Sequence, residues 1–249
     1  MTKAESRAGE DEADPGKRTG KRVPAQKPRA GPEETARETH MKNNLIFIGM
    51  PAVGKSTVGI VVAKRLGMNF IDADLLIQEQ EKKLLREIIA EVGQDGFLKI
   101  ENQVNAELET ENSVISPGGS VIYCKDAMKH YKEIGTIVYL KASYQTIKKR
   151  IHNPKKRGVV LRKGQSFRDL YNERVPYFEK YADITVCEDG CRIEDTIENV
   201  LNAVAEYRRQ QKKQKKKKYR KNYGAKCRKS TKHTGKRIED AKQQKKLDT

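Results

Sequence analysis

The 249-residue chain carries a net charge of +18, and almost all of this excess lies in one segment. Residues 208–249 hold 19 Lys and Arg against 3 Asp and Glu, whereas residues 41–207 hold 24 against 23. No run approaches the roughly 20 apolar residues that a membrane-spanning helix needs, and the first residues lack the apolar core of a secretion signal. The four cysteines show no paired spacing for a metal site or a disulfide framework. These features argue against a membrane-spanning or disulfide-rich secreted protein, and we expect free thiols and a cytoplasmic location.

Composition divides the chain into three parts. Residues 1–40 are rich in Ala, Gly, Pro, Lys and Glu without periodicity, which predicts a disordered extension, and either Met1 or Met41 is the natural start. Residues 41–207 are expected to fold as one domain. Residues 208–249 are expected to be a disordered tail that either contacts RNA or another polyanion nonspecifically or is solvated without a partner. We expect the protein to be a monomer.

Apolar runs and helical periodicities alternate between these two tails. Strands are predicted at 45–48, 69–71, 113–116, 136–140 and 184–187. Helices are predicted at 55–66, 73–92, 95–110, 127–132, 143–151, 166–180 and 192–208. Breaks are expected near Gly93 and Gly96. Strands that alternate with helices at this spacing predict an α/β domain with a mostly parallel sheet. Residues 153–165 contain Pro154 and five Lys or Arg residues, which indicates a mobile basic lid between two helices.

The segment GMPAVGKST, residues 49–57, follows the first predicted strand and opens a helix. It matches G-x-x-x-x-G-K-[ST], and the strand–loop–helix context distinguishes a phosphate-binding loop from a glycine-rich turn. The glycines let successive N–H groups face one point, where the helix N-terminus adds positive partial charge. Lys55 is expected to reach the outer phosphates, and Ser56 is expected to bind Mg²⁺. The loop therefore predicts binding of Mg²⁺ and of ATP or GTP by Gly49, Ala52, Val53, Gly54, Lys55, Ser56 and Thr57.

Two carboxylates, Asp72 and Asp74, follow the second predicted strand. The carboxyl edge of a parallel sheet is where ligands bind in open α/β folds. One of the two acids can take part in the Mg²⁺ shell, and the other can accept a proton or hold a hydroxyl. The pair alone is equally typical of a helix N-cap followed by a first-turn acid. About twenty residues after a phosphate loop, the functional interpretation is favoured.

Six stretches taken together resemble the shikimate kinases, small P-loop kinases of the nucleoside-monophosphate-kinase type. In order across residues 43–190 they are GMPAVGKSTVG, FIDAD, GFLKIE, VISPGGSV, KRIHNPKKRGVV and ERVPYFEKYAD. The resemblance implies a P-loop three-layer α/β/α fold with a five-stranded parallel sheet and a mobile lid. It also implies transfer of the γ-phosphoryl group of ATP to a hydroxyl of shikimate, in aromatic amino acid biosynthesis.

The resemblance implies roles for individual residues as well. Asp72 would lie near the metal, and Asp74 would hold the substrate hydroxyls and serve as the base. Arg150 would pack against adenine, and Arg157 of the lid would approach the phosphates during transfer. The other matched positions are expected to contact the substrate, namely Glu101, Gly118, Gly119 and Arg174.

Two positions depart from the family pattern. Leu98 stands where the family has an arginine that clamps the shikimate carboxylate, and Ser120 stands where it has a third glycine. A charge-assisted hydrogen bond contributes about 1.5–3 kcal/mol, so losing one clamp would weaken binding roughly ten- to a hundredfold. Either a neighbouring base such as Lys99 compensates, or the acceptor is another small hydroxylated metabolite. A third alternative is a nucleotide-binding domain that delivers the basic tail to nucleic acid.

Overall fold

Five parallel strands form one sheet in the order β2-β3-β1-β4-β5 in the computed structural model, which describes residues 43–151, 159, 161–162 and 164–219. The strands are β1 (Asn44–Ile48), β2 (Asn69–Asp72), β3 (Ser113–Ser116), β4 (Gly135–Lys141) and β5 (Ile184–Cys187). The helices are α1 (Lys55–Leu66), α2 (Ala73–Glu81), α3 (Leu85–Ala106), α4 (Lys125–Ile134), α5 (Tyr144–Arg150), α6 (Phe167–Tyr181) and α7 (193–219). A 3-10 turn spans Val121–Tyr123. The predicted α/β fold with a five-stranded parallel sheet is confirmed, whereas the extension predicted at 1–40 lies outside the described residues.

The apolar run at the start of the domain forms the central strand, β1. All five of its residues are buried, because the strand lies between β3 and β4 and has helices over both faces. Ile46 is level with Ile115 of β3 and with Ile137 of β4. Since all pairings are parallel, the carboxyl ends of the strands meet at one edge of the sheet. The phosphate loop and Asp72 therefore lie at the same edge.

The helical region after β2 is divided differently from the prediction. α2 ends at Glu81, and Lys82 has a left-handed φ of 55°. The single helix predicted over 73–92 is therefore interrupted at residues 82–84, while residues 85–92 are helical as part of α3. α3 then runs from Leu85 to Ala106 with non-helical angles at Gly93, where a break was expected. A lysine gives no strong sequence signal for the end of a helix, so the sequence did not predict the boundary at Lys82. Ile88 before the kink and Phe97 after it pack in the same apolar cluster.

The last helix continues well beyond the predicted domain boundary at residue 207. Residues 208–219 are helical, so the first part of the Lys/Arg-rich segment is not disordered, while residues 220–249 lie outside the described part of the chain. Lys, Arg and Gln have good helix propensity. Glu206 supports the extension by accepting from Gln210 and pairing with Arg209. Further back, Val200 and Val204 anchor the helix in the core, whereas Ile193 in its first turn is exposed.

Helix hydrophobicity and the state of the cysteines bear on the expectations drawn from composition. Across the described ranges, no helix combines the length and apolarity needed to cross a bilayer. Cys124 is a buried free thiol, and Cys187 and Cys191 are free thiols nearer the surface. Cys227 lies outside the described residues.

Asn44 at the start of β1 ties three chain segments together. Its Nδ2 donates to the carbonyl oxygens of Thr110 at 2.9 Å and Ile134 at 3.2 Å, and its Oδ1 accepts from the backbone N–H of Ser113 at 2.9 Å. The side chain is 1% exposed, so these backbone groups have little access to water. One side-chain amide thereby provides hydrogen-bond partners for backbone groups just before β3, at its first residue and just before β4.

We expect Asn44→Ala to lower the free energy of unfolding by about 3 kcal/mol, because it leaves several buried backbone groups without partners. Urea unfolding followed by far-UV circular dichroism measures the change. Asn199→Ala on the exposed face of α7 is the control, and its effect should stay within about 0.5 kcal/mol. Equal effects of the two substitutions would contradict the structural role assigned to Asn44.

Candidate active site

The loop after β1 has the backbone geometry of a phosphate cradle. Gly49 and Gly54 have φ angles of 151° and 109°, in the region that favours glycine. A Cβ on Gly49 would lie 2.7 Å from the carbonyl oxygen of Leu140, so a side chain has no room there. Ala52 also has a positive φ of 65°, a strained conformation that tends to occur at functional loops. Because α1 begins at Lys55, the unpaired N–H groups of its first turn lie at this loop.

Lys55 folds back over the same loop. Its Nζ donates to the carbonyl oxygen of Gly49 at 3.2 Å. Desolvation lowers the pKa of Lys55, and the carboxylate of Asp74 opposes this shift by favouring the ammonium form. A cation held beside the loop can neutralise charge on phosphate oxygens.

Ser56 and Asp72 form an oxygen-rich pair at the mouth of the loop. The Ser56 Oγ donates to Asp72 Oδ2 at 2.8 Å and lies 3.2 Å from the Oγ of Ser116. The second oxygen of Asp72 accepts from the backbone N–H of Asp74 at 3.0 Å and so caps α2. Asp72 is therefore both the helix cap and a possible ligand of a cation, which combines the two sequence interpretations. Hydroxyl and carboxylate oxygens are the donors that Mg²⁺ takes in proteins.

Two acids with raised pKa values lie next to each other on the other side of Lys55. Burial raises the pKa of Asp74 to about 6, against the opposing effect of the Lys55 charge. Burial also raises the pKa of Glu101 to about 7. The nearby Ser120 hydroxyl partly offsets that rise, but neither Glu101 oxygen completes a hydrogen bond of good geometry within the described residues. Perturbed acids in a cleft mark a functional site.

Gly118 and Gly119 fill the space between these acids and the loop. A Cβ on Gly118 would lie 2.5 Å from Glu101 Oε1 and 3.0 Å from Asp74 Oδ1. A Cβ on Gly119 would lie 3.1 Å from Nη1 of Arg174. The backbone can approach all three charged groups only because neither residue has a side chain.

Arg174 on α6 supplies the buried cation opposite the acids. It is 4% exposed, and its Nε has no hydrogen-bond partner in the part of the chain that the structure describes. Its guanidinium carbon lies 5.5 Å from the ring centroid of Tyr123, which steadies it by a cation–π contact. A buried donor without a partner is costly, so an anionic ligand group is well matched to this position.

A cavity of about 260 Å³ joins the phosphate loop to this cluster. The predicted residues that line it are Ala52, Gly54, Lys55, Ser56, Thr57, Asp74, Gly118, Gly119, Ser120 and Arg174. Glu101 is fully buried directly behind this surface. The structure thus brings most of the predicted phosphate-binding and acceptor-binding residues into one space.

The wall formed by α3 is apolar apart from Gln94. Leu98 lines the cavity together with Leu85, Ile89 and Phe97. Lys99, the suggested substitute for a missing arginine, is exposed and does not line the cavity, because adjacent helical residues point about 100° apart. The only cations that line the cavity among the described residues are therefore Lys55 and Arg174.

Arg150 lies at a second cavity, of about 280 Å³, on the other side of the phosphate loop. Its Nη1 donates to the carbonyl oxygen of Val53 at 3.0 Å and to Glu188 Oε2 at 2.7 Å. Val53, Gly54 and Ile193 also line this cavity. Arg150 therefore lies beside the phosphate loop, at a cavity that leaves space for a ligand group.

Arg157 and most of the predicted lid lie outside the described residues. Val159 is described, and it packs with Ile151 and Leu170 in a small apolar cluster that includes Ala52. Val159 also lines the first cavity. Val159 and Leu161 of the predicted lid segment therefore share an apolar cluster with Ala52 of the phosphate loop.

Sequence patterns do not single out Ser116, Gln94 or Glu188, although all three lie at the two cavities. Ser116 ends β3 and Glu188 follows β5. Both residues could have been predicted to lie near the site, because the carboxyl ends of parallel strands form the ligand-binding edge of the sheet. Gln94 lies at the kink of α3 and carries no local signal.

We expect Gly118→Ala to lower kcat about tenfold or more, because the new methyl group would displace both buried acids from positions that depend on close contact. Binding of ADP should be unchanged, since the atoms nearest to a Cβ on Gly118 belong to Glu101 and Asp74 and not to the phosphate loop. Steady-state kinetics and calorimetric ADP titration measure the two quantities. A parallel loss of ADP affinity would contradict the local effect.

Comparison with known proteins agrees with this geometry. The family model described as shikimate kinase matches residues 51–205. The chain is 34% identical over 180 residues to a shikimate kinase of Chlorobium chlorochromatii, covering 67% of this chain and 93% of that protein. It is 34% identical over 167 residues to human threonine synthase-like 1, covering 66% of this chain but only 22% of that protein.

A solved structure of shikimate kinase from Acinetobacter baumannii in complex with shikimate is also similar. It has a TM-score of 0.61 at 27% identity, with 66% of this chain and 93% of that chain covered. The match therefore extends over nearly the whole length of both bacterial enzymes. The chain belongs to the shikimate kinase family and is an ATP-dependent small-molecule kinase.

Proposed function

We propose that the protein transfers the γ-phosphoryl group of ATP to a hydroxyl of shikimate. The observation that carries this proposal is that the phosphate loop, Asp74 and Arg174 surround one cavity of about 260 Å³. Direct transfer requires donor and acceptor to be held together in one space. The relatives whose names are shikimate kinase, and the likeness to the A. baumannii enzyme in complex with shikimate, support the choice of acceptor.

Asp74 would be the general base. The acceptor hydroxyl oxygen attacks the γ-phosphorus while the bond to the bridging oxygen breaks, ADP leaves, and the hydroxyl proton passes to the Asp74 carboxylate. With a pKa of about 6, this carboxylate is ionised at neutral pH and is more basic than an ordinary aspartate. Lys55 would neutralise charge on the transferring group.

Ser56 and Asp72 would hold Mg²⁺. Their oxygens are 2.8 Å apart and are of the hard type that this ion prefers. When bound, the ion would neutralise the phosphate oxygens of the nucleotide. Arg157 would add a further cation over the phosphates, in keeping with its position in the sequence motif.

Arg174 would hold the shikimate carboxylate. Its buried guanidinium has an unpartnered Nε, and a carboxylate would supply the missing acceptor in a charge-assisted hydrogen bond. Glu101, Gly118, Gly119 and Ser120 would complete the acceptor side. Arg150 would pack on adenine at the second cavity.

A second candidate function is phosphorylation of a different small hydroxylated metabolite. Leu98 favours it, because this cavity wall offers no second cation to a carboxylate. Glu101 is left nearby as a fully buried acid without a partner among the described residues. An acceptor that lacks a carboxylate, or that carries an additional hydrogen-bond donor, would suit this wall better than shikimate does.

The test uses the purified full-length chain with Mg·ATP and follows ADP release through a coupled assay. Shikimate is compared with a panel of small hydroxy acids, hydroxy amino acids and polyols, and the phosphorylated product is identified by mass spectrometry. The highest kcat/KM with shikimate would support the first proposal. Turnover of another compound with a kcat/KM at least about a hundredfold higher, or about 3 kcal/mol, would replace it with the second.

A further inference from the structure

Two consecutive acids after β5 hold α5 at both of its ends. Asp189 accepts from the backbone N–H of Ser143 at 3.0 Å and from the hydroxyl of Thr146 at 2.6 Å, at the start of the helix. Glu188 accepts from Arg150, the last residue of the same helix, at 2.7 Å. The segment that follows β5 therefore fixes α5 with respect to the sheet.

The guanidinium of Arg150 is held by two hydrogen bonds from a single nitrogen. One nitrogen, Nη1, donates both to Glu188 and to the carbonyl oxygen of Val53 in the phosphate loop. Arginine side chains have many rotamers, and two simultaneous contacts restrict this freedom before any ligand binds. About a third of the Arg150 side chain stays exposed, at the cavity of about 280 Å³. The part that remains exposed is available to a flat ligand group.

Burying the Glu188 carboxylate costs free energy of folding that a purely structural role does not explain. Its side chain is 3% exposed, and its Oε1 has no hydrogen-bond partner within the described residues. Replacing a buried ion pair by apolar residues is often neutral or stabilising, so such a pair is weak evidence for a contribution to stability. Its Oε1 would lie 4.0 Å from a Cβ on Gly54, so the carboxylate is packed directly against the phosphate loop. An orienting role explains this position better than a stabilising role does.

We propose that Glu188 is a positioning residue for nucleotide binding, which fixes the guanidinium of Arg150 over the phosphate loop so that it packs on the base. This inference rests on the proposed role of Arg150 in base binding. It assigns no contact between Glu188 and the nucleotide. Its consequence is that Glu188 contributes to the part of the affinity that depends on the base, and not to the part that depends on the phosphates.

The experiment separates these two parts in the full-length chain. Calorimetry with Mg²⁺ measures the affinity for ADP and for inorganic pyrophosphate, which has no base. Glu188→Gln should weaken ADP binding about tenfold, the effect expected from the loss of one charge-assisted hydrogen bond. Pyrophosphate binding should change less than about twofold. Asp195→Asn, which breaks the exposed ion pair with Arg192 at the start of α7, is the control and should change neither affinity.

A double substitution tests whether Glu188 acts through Arg150. Arg150→Ala alone should weaken ADP binding at least as much as Glu188→Gln, and Arg150→Ala with Glu188→Gln should be no weaker than Arg150→Ala alone. This comparison remains valid even if Glu188→Gln proves unstable in thermal unfolding, since the double variant has no unpaired guanidinium.

Three results would overturn the inference. They are an equal loss of ADP and pyrophosphate affinity in Glu188→Gln, no loss of either, and additive losses in the double variant. No acceptor is present in these titrations. A failure to phosphorylate shikimate would therefore reject the proposed acceptor without affecting the result for Glu188.

Discussion

Asp74→Asn should lower kcat by about 10²- to 10⁴-fold, the range typical for the loss of a positioned general base. Asparagine has nearly the same shape, so the cavity and the contact of Gly118 with this side chain are preserved. What is lost is the ability to accept a proton from the acceptor hydroxyl. The affinity for ADP should stay within about threefold, because the phosphate loop does not depend on the Asp74 charge for its geometry.

The pH dependence gives an independent signature of the same residue. Burial raises the pKa of Asp74 to about 6, and only the ionised form can accept the proton. The rate of the native enzyme should therefore fall as the pH drops through about 6 and should be flat just above it. Asp74→Asn should lack this acid limb. On the basic side, the lowered pKa of Lys55 means that its positive charge is lost at a lower pH than for an ordinary lysine. Asp74→Asn should therefore keep the fall in rate at high pH.

Asp95→Asn is the matched control, since Asp95 is an exposed acid on α3. Its kcat and its pH profile should equal those of the native chain. An Asp74→Asn variant that keeps more than about a tenth of the native kcat would show that another group takes the proton. Glu101 is the nearest candidate, because burial raises its pKa, and loss of the remaining activity in the double variant Asp74→Asn with Glu101→Gln would identify it.

The parts of the site that could be predicted from the sequence are those whose chemistry is local in the chain. The phosphate loop needs its glycines, Lys55 and Ser56 within a few residues, so a short pattern in a strand–helix context suffices. Asp72 and Asp74 follow the end of a strand, and any such position in a parallel sheet faces the same edge. The strands could also be predicted from the sequence, because a buried parallel strand is a short apolar run between turns.

The rest depends on contacts between distant segments. Glu188 meets Arg150 only because β5 lies beside β4 in the sheet, and no spacing in the sequence reports the partner of a buried acid. The end of α2 at Glu81 is set by packing of α3 rather than by a helix-breaking residue. Lys99 looked like a substitute cation in the sequence, but the phase of α3 turns it to solvent. Tertiary context decides such cases.

Leu98→Arg is expected to lower the KM for shikimate by about ten- to a hundredfold, the value of one additional charge-assisted hydrogen bond to a carboxylate. Leu98 lines the acceptor cavity, so a longer side chain there reaches the ligand directly. Glu101 lies three residues further along α3, close to the same face of the helix. Its unpartnered carboxylate would pair with the new guanidinium, which offsets the cost of placing a charge in this wall.

Two controls separate the charge from other effects. Leu98→Met conserves volume and should leave the KM within about threefold. Lys99→Ala removes an adjacent cation that is exposed, and it should have no effect on the KM. Steady-state kinetics at saturating Mg·ATP measure all three variants. An unchanged KM in Leu98→Arg would mean that the acceptor places no anionic group near α3, which favours the second candidate function.

The pH dependence of the KM distinguishes the two candidates further. Below its pKa of about 7, Glu101 is neutral, and above it the carboxylate repels an anionic acceptor. The KM for shikimate should therefore rise as the pH increases through about 7 in the native chain, whereas an acceptor with a cationic group should show a falling KM. In Leu98→Arg the guanidinium favours the ionised form of Glu101 and lowers its pKa, so the dependence should shift to lower pH. With Leu98 in place of the family's arginine, the matched acid Glu101 has no positive charge beside it on α3 and would become neutral near pH 7.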